Sequence, residues 1–287
     1  MTGREARSMV RDRSRIHSES ERAAIAHAAA LVGQTLQMLA TYIEPGVPTQ
    51  RLDQFAEEFI RAHGGQPAFK GYGSGPGQAG FPATLCVSID DEVVHGIPSS
   101  RCLEEGQIVS IDCGVRYDGC YGDGAWTFAV GRISPDKERL LATACEALYA
   151  GIAQARPGNT TYDIARAIQQ HVESRGFSCV RELVGHGVGT ALHEDPPVPN
   201  FVPGILHRSR YPEVLLVEGM TLAIEPMVNA GVLTVYTARD GWTVRTSDGK
   251  PSAHFEHTVI IESDGARILT VHSLPRPQYA EAGSNQG

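Results

Sequence analysis

Pro45-Gly46-Val47-Pro48-Thr49 and Pro157-Gly158-Asn159-Thr160-Thr161 are two versions of one phrase, and the residues after each are alike. After the first, Leu52, Ala56 and Ile60 are apolar and Gly64 closes the pattern; after the second, Ile164, Ile168, Val172 and Gly176 do the same. The Pro-Gly pair, Thr49 with Thr161, the apolar positions and the closing Gly keep a constant offset of 112 residues. Apolar residues four apart mark one face of a helix. In both copies a Thr stands where an N-cap belongs and a Gly where the helix stops. Each copy follows a longer helical segment, 21–43 and 135–155, the second with Ser134 as cap and Pro135 at the first helical position. Strand signals come after each helix pair, at 85–89, 107–112 and 120–130, then at 214–217, 220–224 and 255–261. Two helix–helix–sheet halves predict a pseudo-twofold α+β fold with one joint core, and such a joint is a favoured place for a site.

The rest of the chain sets bounds. Its 287 residues, 41% hydrophobic and 20% charged, are ordinary for a globular protein. A net charge of −8 gives no support for nucleic-acid binding. Six cysteines, Cys86, Cys102, Cys113, Cys120, Cys145 and Cys179, form no C-x-x-C pair, so reduced thiols in a cytoplasm are expected. No signal peptide follows the arginines between Arg4 and Arg15, and no run of about 18 apolar residues is expected to span a membrane. Residues 1–17 read as a frayed basic arm, 18–273 as a single domain, and 274–287, rich in Pro, Gly, Ser and Gln, as a disordered tail. The glycine-rich run from Gly71 to Gly80 lacks the Gly-Lys-Ser/Thr of a phosphate loop and reads as a mobile surface loop.

Five metal-compatible side chains punctuate the second part: Asp112, Asp123, His186, Glu225 and Glu256. Carboxylates can bridge two ions while an imidazole holds one of them, and paired divalent ions activate water in aminopeptidases, phosphatases and nucleases. Asp112 ends the apolar run from Ile108, and Asp123 lies beyond the turn signal Asp118-Gly119. A two-residue turn there pairs 112 with 125, leaving 123 diagonal; a turn one residue earlier pairs 112 with 123 directly. Either register puts both carboxylates on one face. His186 stands in Gly185-His186-Gly187-Val188-Gly189, whose glycines would let the backbone approach a ligand closely. Glu225 ends the run from Met220, and Glu256 sits before an apolar run where a metal could supply its partner charge. His193-Glu194 is no zinc-protease helix, because Pro196 and Pro197 forbid the helix that motif needs. His95, in His95-Gly96-Ile97-Pro98, adds a third candidate imidazole beside His186 and His193.

From about Glu21 to Ser273 the chain resembles the type I methionine aminopeptidases of the pita-bread metallopeptidase family. The resemblance is carried by Asp91-Glu92-Val93-Val94-His95-Gly96-Ile97-Pro98, by the His186 segment, by Glu225-Pro226-Met227-Val228-Asn229-Ala230-Gly231, by Asp240-Gly241-Trp242-Thr243 and by Phe255-Glu256-His257-Thr258. It implies a pita-bread fold, a curved and mainly antiparallel sheet backed by four helices. It also implies two divalent ions, Co, Mn, Fe or Zn, held by Asp112, Asp123, His186, Glu225 and Glu256, with a monovalent cation nearby. Implied roles are proton shuttling for Glu225, oxyanion contact for His193 and contact with the scissile amide nitrogen for His95. Phe81, Cys86, Leu192 and Trp242 fall where that family lines its methionine pocket. The implied reaction is removal of the N-terminal Met before a small second residue by a metal-activated hydroxide. The implied partners are nascent polypeptide N-termini, with transient ribosome contact, no specific nucleic acid, no membrane and a monomeric state.

The chain departs from the family pattern at several positions: residues 73–79 look inserted, Gly114 replaces Thr, Tyr121 replaces His, His254 replaces Gln, and Asp90, near the expected monovalent cation, replaces Asn. Gly114 leans toward the proline-directed pita-bread peptidases, such as aminopeptidase P, which carry an extra N-terminal domain that this chain has no room for. A non-catalytic binding protein on the same scaffold is the remaining alternative, and such proteins lose metal ligands that are all present here.

Overall fold

The computed structural model describes residues 16–75 and 79–279, so the arm at 1–15, part of the glycine-rich run and the tail from 280 lie outside the described residues. Helix α1 (Glu19–Leu39) begins two residues earlier than its apolar pattern suggests. Ser18 and Glu21 cap it reciprocally: Ser18 N–H donates to Glu21 at 2.8 Å, and Glu21 N–H to the Ser18 hydroxyl at 3.3 Å. With its 3₁₀ extension to Tyr42, this helix is long and apolar enough to cross a membrane by length and composition alone, though polar residues interrupt it. Its buried residues, Ile25, Val32, Leu36 and Leu39 among them, face the protein core. The helix backbone lies so close to the sheet that a Cβ on Gly122 would sit 2.3 Å from Ala29 N.

The duplicated phrases open α2 (Thr49–Ala62) and, in the second half, α4 (Thr161–Ser174), which packs on α3 (Pro135–Ile152). Ser134 caps α3 as expected, with Pro135 at its first position. Gly64 and Gly176 both end their helices in the left-handed region, at φ +80° and +79°. The aligned threonines do something other than cap. Thr49 and Thr161 are first helical residues; Pro48 precedes α2 without a side-chain cap, and Thr160 caps α4. Each aligned hydroxyl instead ties down the returning chain. Thr49 bonds both the C=O (3.1 Å) and the N–H (2.9 Å) of Ser99, and Thr161 bonds Pro212 C=O (3.5 Å) and Val214 N–H (3.1 Å).

All strand pairs among the described residues are antiparallel. In the first half, Ile108–Tyr117 forms a hairpin with Cys120–Ala129 and pairs on its other edge with Leu85–Ile89 and Gln66–Pro67. Asp118 and Gly119 both have positive φ (+46° and +81°), as a two-residue primed turn requires. Of the two registers open to the sequence, this turn selects Asp112 opposite Ala125 and Asp123 opposite Gly114. In the second half a five-stranded sheet runs Gly265–Ile268, His257–Glu262, Thr221–Ile224, Gly185–Gly187, Glu194–Val198. Residues 214–217, expected as a strand, make only a bridge from Leu215 to Thr160. Phe255 and Glu256 also fall outside the strand expected there, because Glu256 turns its backbone to the other half. Its N–H donates to Ala125 C=O (2.9 Å), and Ala125 N–H reaches back to Glu256 C=O (3.4 Å).

That exchange is the seam of the molecule. The Thr258 hydroxyl donates to Asp123 C=O (2.7 Å) and accepts from Asp123 N–H (3.1 Å), while the Thr127 hydroxyl does the same for His254. Beneath it, Trp126 and Phe255, one from each half and both fully buried, meet edge to face at 4.8 Å. One hydrophobic core runs through both halves, from Leu36 and Ile60 to Ile168 and Val259. At the chain ends, His17 pairs with Glu194 at 3.1 Å, and Arg276, in the segment expected to be a tail, lies 3.4 Å over the Tyr149 ring.

Candidate metal centre and substrate pocket

The seam places charge where propensity alone would not. Asp112 and Asp123 lie diagonally on one face of the hairpin, Glu256 comes from the crossing segment, His186 from Gly185–Gly187 and Glu225 from just beyond Thr221–Ile224. All five line one cavity, joined by His95, His193, Phe81, Cys86, Leu192 and Trp242. Every site residue singled out in the sequence is therefore in this cavity. Phe69 and Tyr72 line it too. Neither was legible beforehand, since a Phe and a Tyr ahead of a glycine-rich run carry no signal of their own.

Local chemistry explains each placement. Glycines beside His186 are required by packing, which corrects the expectation that they make room for a ligand: a Cβ on Gly185 would lie 2.3 Å from Ala223 O, and one on Gly187 2.3 Å from Asp195 O. His186 Nδ1–H donates to Gly187 C=O (2.8 Å), so its Nε2 lone pair faces Glu225 at 3.5 Å and Asp123 at 3.9 Å. His95 takes a left-handed backbone, φ +59°, costing on the order of 1 kcal/mol. The following Gly96 lies flush on Val87, where a Cβ would meet O at 2.2 Å. Asp240 accepts N–H bonds from Trp242 (2.8 Å) and Thr243 (2.9 Å), and this turn sets the Trp242 ring edge-on to Phe81 at 5.3 Å. Asn200, also unmarked in the sequence, is fully buried and donates to Glu225 C=O at 3.0 Å. The inserted-looking run leaves the pocket by a narrow neck: Gly71 N–H bonds Phe81 C=O and Phe81 N–H bonds Tyr72 C=O, both at 2.8 Å. From that neck the Tyr72 hydroxyl reaches His193 Nδ1 at 2.7 Å.

The electrostatics suit a cation. Burial raises the Asp112 carboxyl to about 7, and hydrogen bonds from Cys113 N–H and the Cys86 thiol offset this only in part. Asp123, Glu225 and Glu256 are pushed well above the usual carboxylate range by burial first and by neighbouring carboxylates second, Asp112 acting on all three. Burial also lowers the imidazoles, His186 and His254 to about 3 and His95 to about 4, so none supplies positive charge near neutral pH. Among the described residues no Lys or Arg lines the cavity, and Asp112 Oδ1 and Glu256 Oε1 are buried without a hydrogen-bond partner. Four crowded carboxylates, two of them with an orphaned oxygen, and no Lys or Arg beside them fit divalent metal. Two overlapping donor sets are already gathered, Asp123–His186–Glu256 and Glu225–His254–Glu256, each with its ligand atoms within 4.8 Å. Outside the cavity, Lys137 holds Asp90 and donates to Gly106 C=O (2.8 Å), placing a fixed positive charge where a monovalent cation is expected.

Residues 23–263 match the model of Metallopeptidase family M24. Methionine aminopeptidase 1 of Bacillus subtilis is 50% identical over 240 residues, 84% of this chain and 92% of that protein. The chain belongs to the methionine aminopeptidases of family M24. Among solved structures, methionine aminopeptidase from Thermotoga maritima superposes with a TM-score of 0.83 at 41% identity, covering 89% of this chain and 98% of the other. The prolidase of Pyrococcus furiosus shares the fold alone, with a TM-score of 0.69 at 22% identity over 90% of this chain and 65% of that one. The fold is therefore the pita bread that the resemblance implied, and membership in a metallopeptidase family makes the chain a metal-dependent hydrolase.

Proposed function

We propose that this chain removes the N-terminal Met from nascent polypeptides whose second residue is small, with Asp112, Asp123, His186, Glu225 and Glu256 holding two divalent ions. The observation that carries it is the cavity itself: buried carboxylates that no Lys or Arg among the described residues accompanies share it with the apolar side chains Phe69, Phe81, Leu192 and Trp242. Bound divalent ions lower the pKa of water toward about 7 and polarise a carbonyl. The side chains supply the remainder. Phe81, Trp242, Leu192, Cys86 and Phe69 receive the Met side chain, whose polarisable thioether suits aromatic edges. Glu225, whose buried carboxyl would ionise beside bound divalent ions, would as carboxylate accept a proton from the attacking water and then pass it to the leaving amine. The Tyr72 hydroxyl, 2.7 Å from Nδ1, suits the His193 tautomer with its proton on Nε2, from which the neutral ring would donate a hydrogen bond to the substrate carbonyl oxygen as charge grows there. His95, neutral for the same reason of burial, contacts the scissile nitrogen and with His193 walls off room for a large second side chain. Unpaired thiols at all six cysteines suit a cytoplasmic enzyme. Transient ribosome contact and a monomeric state belong to the same proposal.

Hydrolysis of Met-Ala-Ser with and without a chelator, beside Met-Lys and X-Pro peptides, tests it. Chelator-sensitive release of Met from Met-Ala-Ser alone is expected. Preferential X-Pro cleavage would move the chain to the proline-directed peptidases, and turnover that ignores the chelator would overturn the metal assignment.

A further inference from the structure

We propose that His254 is a metal-ligating side chain in this protein, giving the centre a second imidazole beside His186. This rests on the metal assignment above and adds to it a nitrogen donor outside the five expected ligands.

His254 is 2% exposed, and neither of its ring nitrogens has a hydrogen-bond partner. Leaving a buried polar group unsatisfied costs about 1–3 kcal/mol, so such a side chain needs a reason. Its position is not accidental slack. The strand Ser252–His254 pairs with Met227–Asn229, with His254 opposite Met227, and the Thr127 hydroxyl engages both backbone groups of His254. The ring is thus delivered to one place, and its Nε2 lies 3.7 Å from Glu225 Oε2 and 3.9 Å from Glu256 Oε2.

Those distances are informative. Hydrogen bonds between such atoms run to about 3.2 Å, so His254 bonds neither carboxylate. Metal–nitrogen and metal–oxygen bonds of about 2.0–2.2 Å allow two ligands of one ion to lie up to about 4.2 Å apart, and both gaps fall within that reach. His186 shows the same spacing, 3.5 Å to Glu225 Oε1 and 3.9 Å to Asp123 Oδ2. Glu225 therefore stands between two imidazoles, one facing each of its oxygens. Glu256 belongs both to the donor set of His186 and to that of His254. His186 is further oriented by its bond to Gly187 C=O, whereas Nδ1 of His254 has no such partner, which makes His254 the weaker donor of the two.

An added imidazole favours Co, Fe, Ni or Zn over Mn, which is content with oxygen ligands. The test is titration of the metal-free full chain with Co(II) and with Mn(II), followed by calorimetry and by the visible d–d absorption of Co(II). Wild type, His254→Gln, His254→Ala and Asp123→Asn are compared, with circular dichroism confirming that each is folded. Gln keeps a hydrogen-bonding amide but offers no imidazole nitrogen. Both His254 variants are expected to lose about tenfold or more in Co(II) affinity, to shift the Co(II) bands, and to hold Mn(II) within about threefold. Unchanged bands with an unchanged Co/Mn affinity ratio would overturn the inference, as would an equal loss for both metals with the bands intact. Failure of the underlying metal assignment looks different: wild type would take up neither ion, or Asp123→Asn would bind both as wild type does.

Discussion

Gly114 is the departure from the family pattern whose consequence the structure makes calculable. A Cβ at this position would lie 2.5 Å from Phe69 Cε1, 3.0 Å from Cδ1 and 3.1 Å from Ala68 Cβ. Carbon atoms rest at about 3.5–4.0 Å, so Gly114→Ala must displace the Phe69 ring by about 1 Å. The backbone cannot yield: Ala68 N–H bonds Gly114 C=O at 2.9 Å, and Gln66–Pro67 is paired with Val115 and Arg116. Phe69 is 8% exposed and packs with Phe81, Cys86 and Leu192, so its ring moves at the expense of the pocket. Overpacking of this kind costs about 1–3 kcal/mol, a loss of roughly 2–10 °C in Tm for a chain of this size. Displacing the bound Met by a comparable distance lowers kcat/KM by about 10- to 100-fold. Thermal melting and Met-Ala-Ser kinetics of Gly114→Ala, Phe69→Ala and the double variant form the assay. In the double variant the clash is gone, so the two stability losses should fall short of additive by about 1 kcal/mol or more. A Gly114→Ala protein with wild-type Tm and kcat/KM, or strict additivity, would refute the reasoning.

Asp112→Asn and Glu256→Gln should each abolish Met-Ala-Ser turnover in metal-replete buffer. Their metal-free forms should melt no lower than wild type, because each removes a buried carboxyl whose ionisation burial disfavours; calorimetry checks this. His193→Ala should lower kcat by about 10²–10³ with metal content unchanged, and Tyr72→Phe should act in the same direction, on kcat rather than KM; metal analysis beside steady-state kinetics separates these roles from ligation. The metal-free protein should lose stability as pH rises from 6.5 to 8. The raised carboxyls keep protons in the folded chain that the unfolded chain has already released, so their contribution falls with pH. The depressed histidines act oppositely, but only below the unfolded value of about 6.5. Divalent ions should therefore raise the melting temperature more at pH 8 than at pH 6.5, and a flat or rising metal-free profile over that range would contradict the protonation assigned here.

Much of this was written in local order along the chain. A repeat at constant offset announced two halves because each helix must bury one apolar face, and period and spacing record that need without reference to anything distant. The turn at Asp118-Gly119 and the Asp112 and Asp123 carboxylates were legible for the same reason, since a hairpin register depends on neighbours in sequence. Family motifs singled out His186, Glu225, Glu256, Phe81 and Trp242, which the structure gathers in one cavity. What only the tertiary structure decided is what the two halves do to each other. The backbone of Glu256 leaves its expected strand to pair with Ala125, Thr49 and Thr161 tie distant chain instead of capping, and the glycines around His186 accommodate strands, not ligand. Phe69 owes its place to the missing Cβ of Gly114, and Tyr72 reaches His193 across 121 residues. His254 has unpartnered nitrogens only because the seam buries it between two carboxylates. Contacts of that range depend on how the halves close, and no local pattern encodes them.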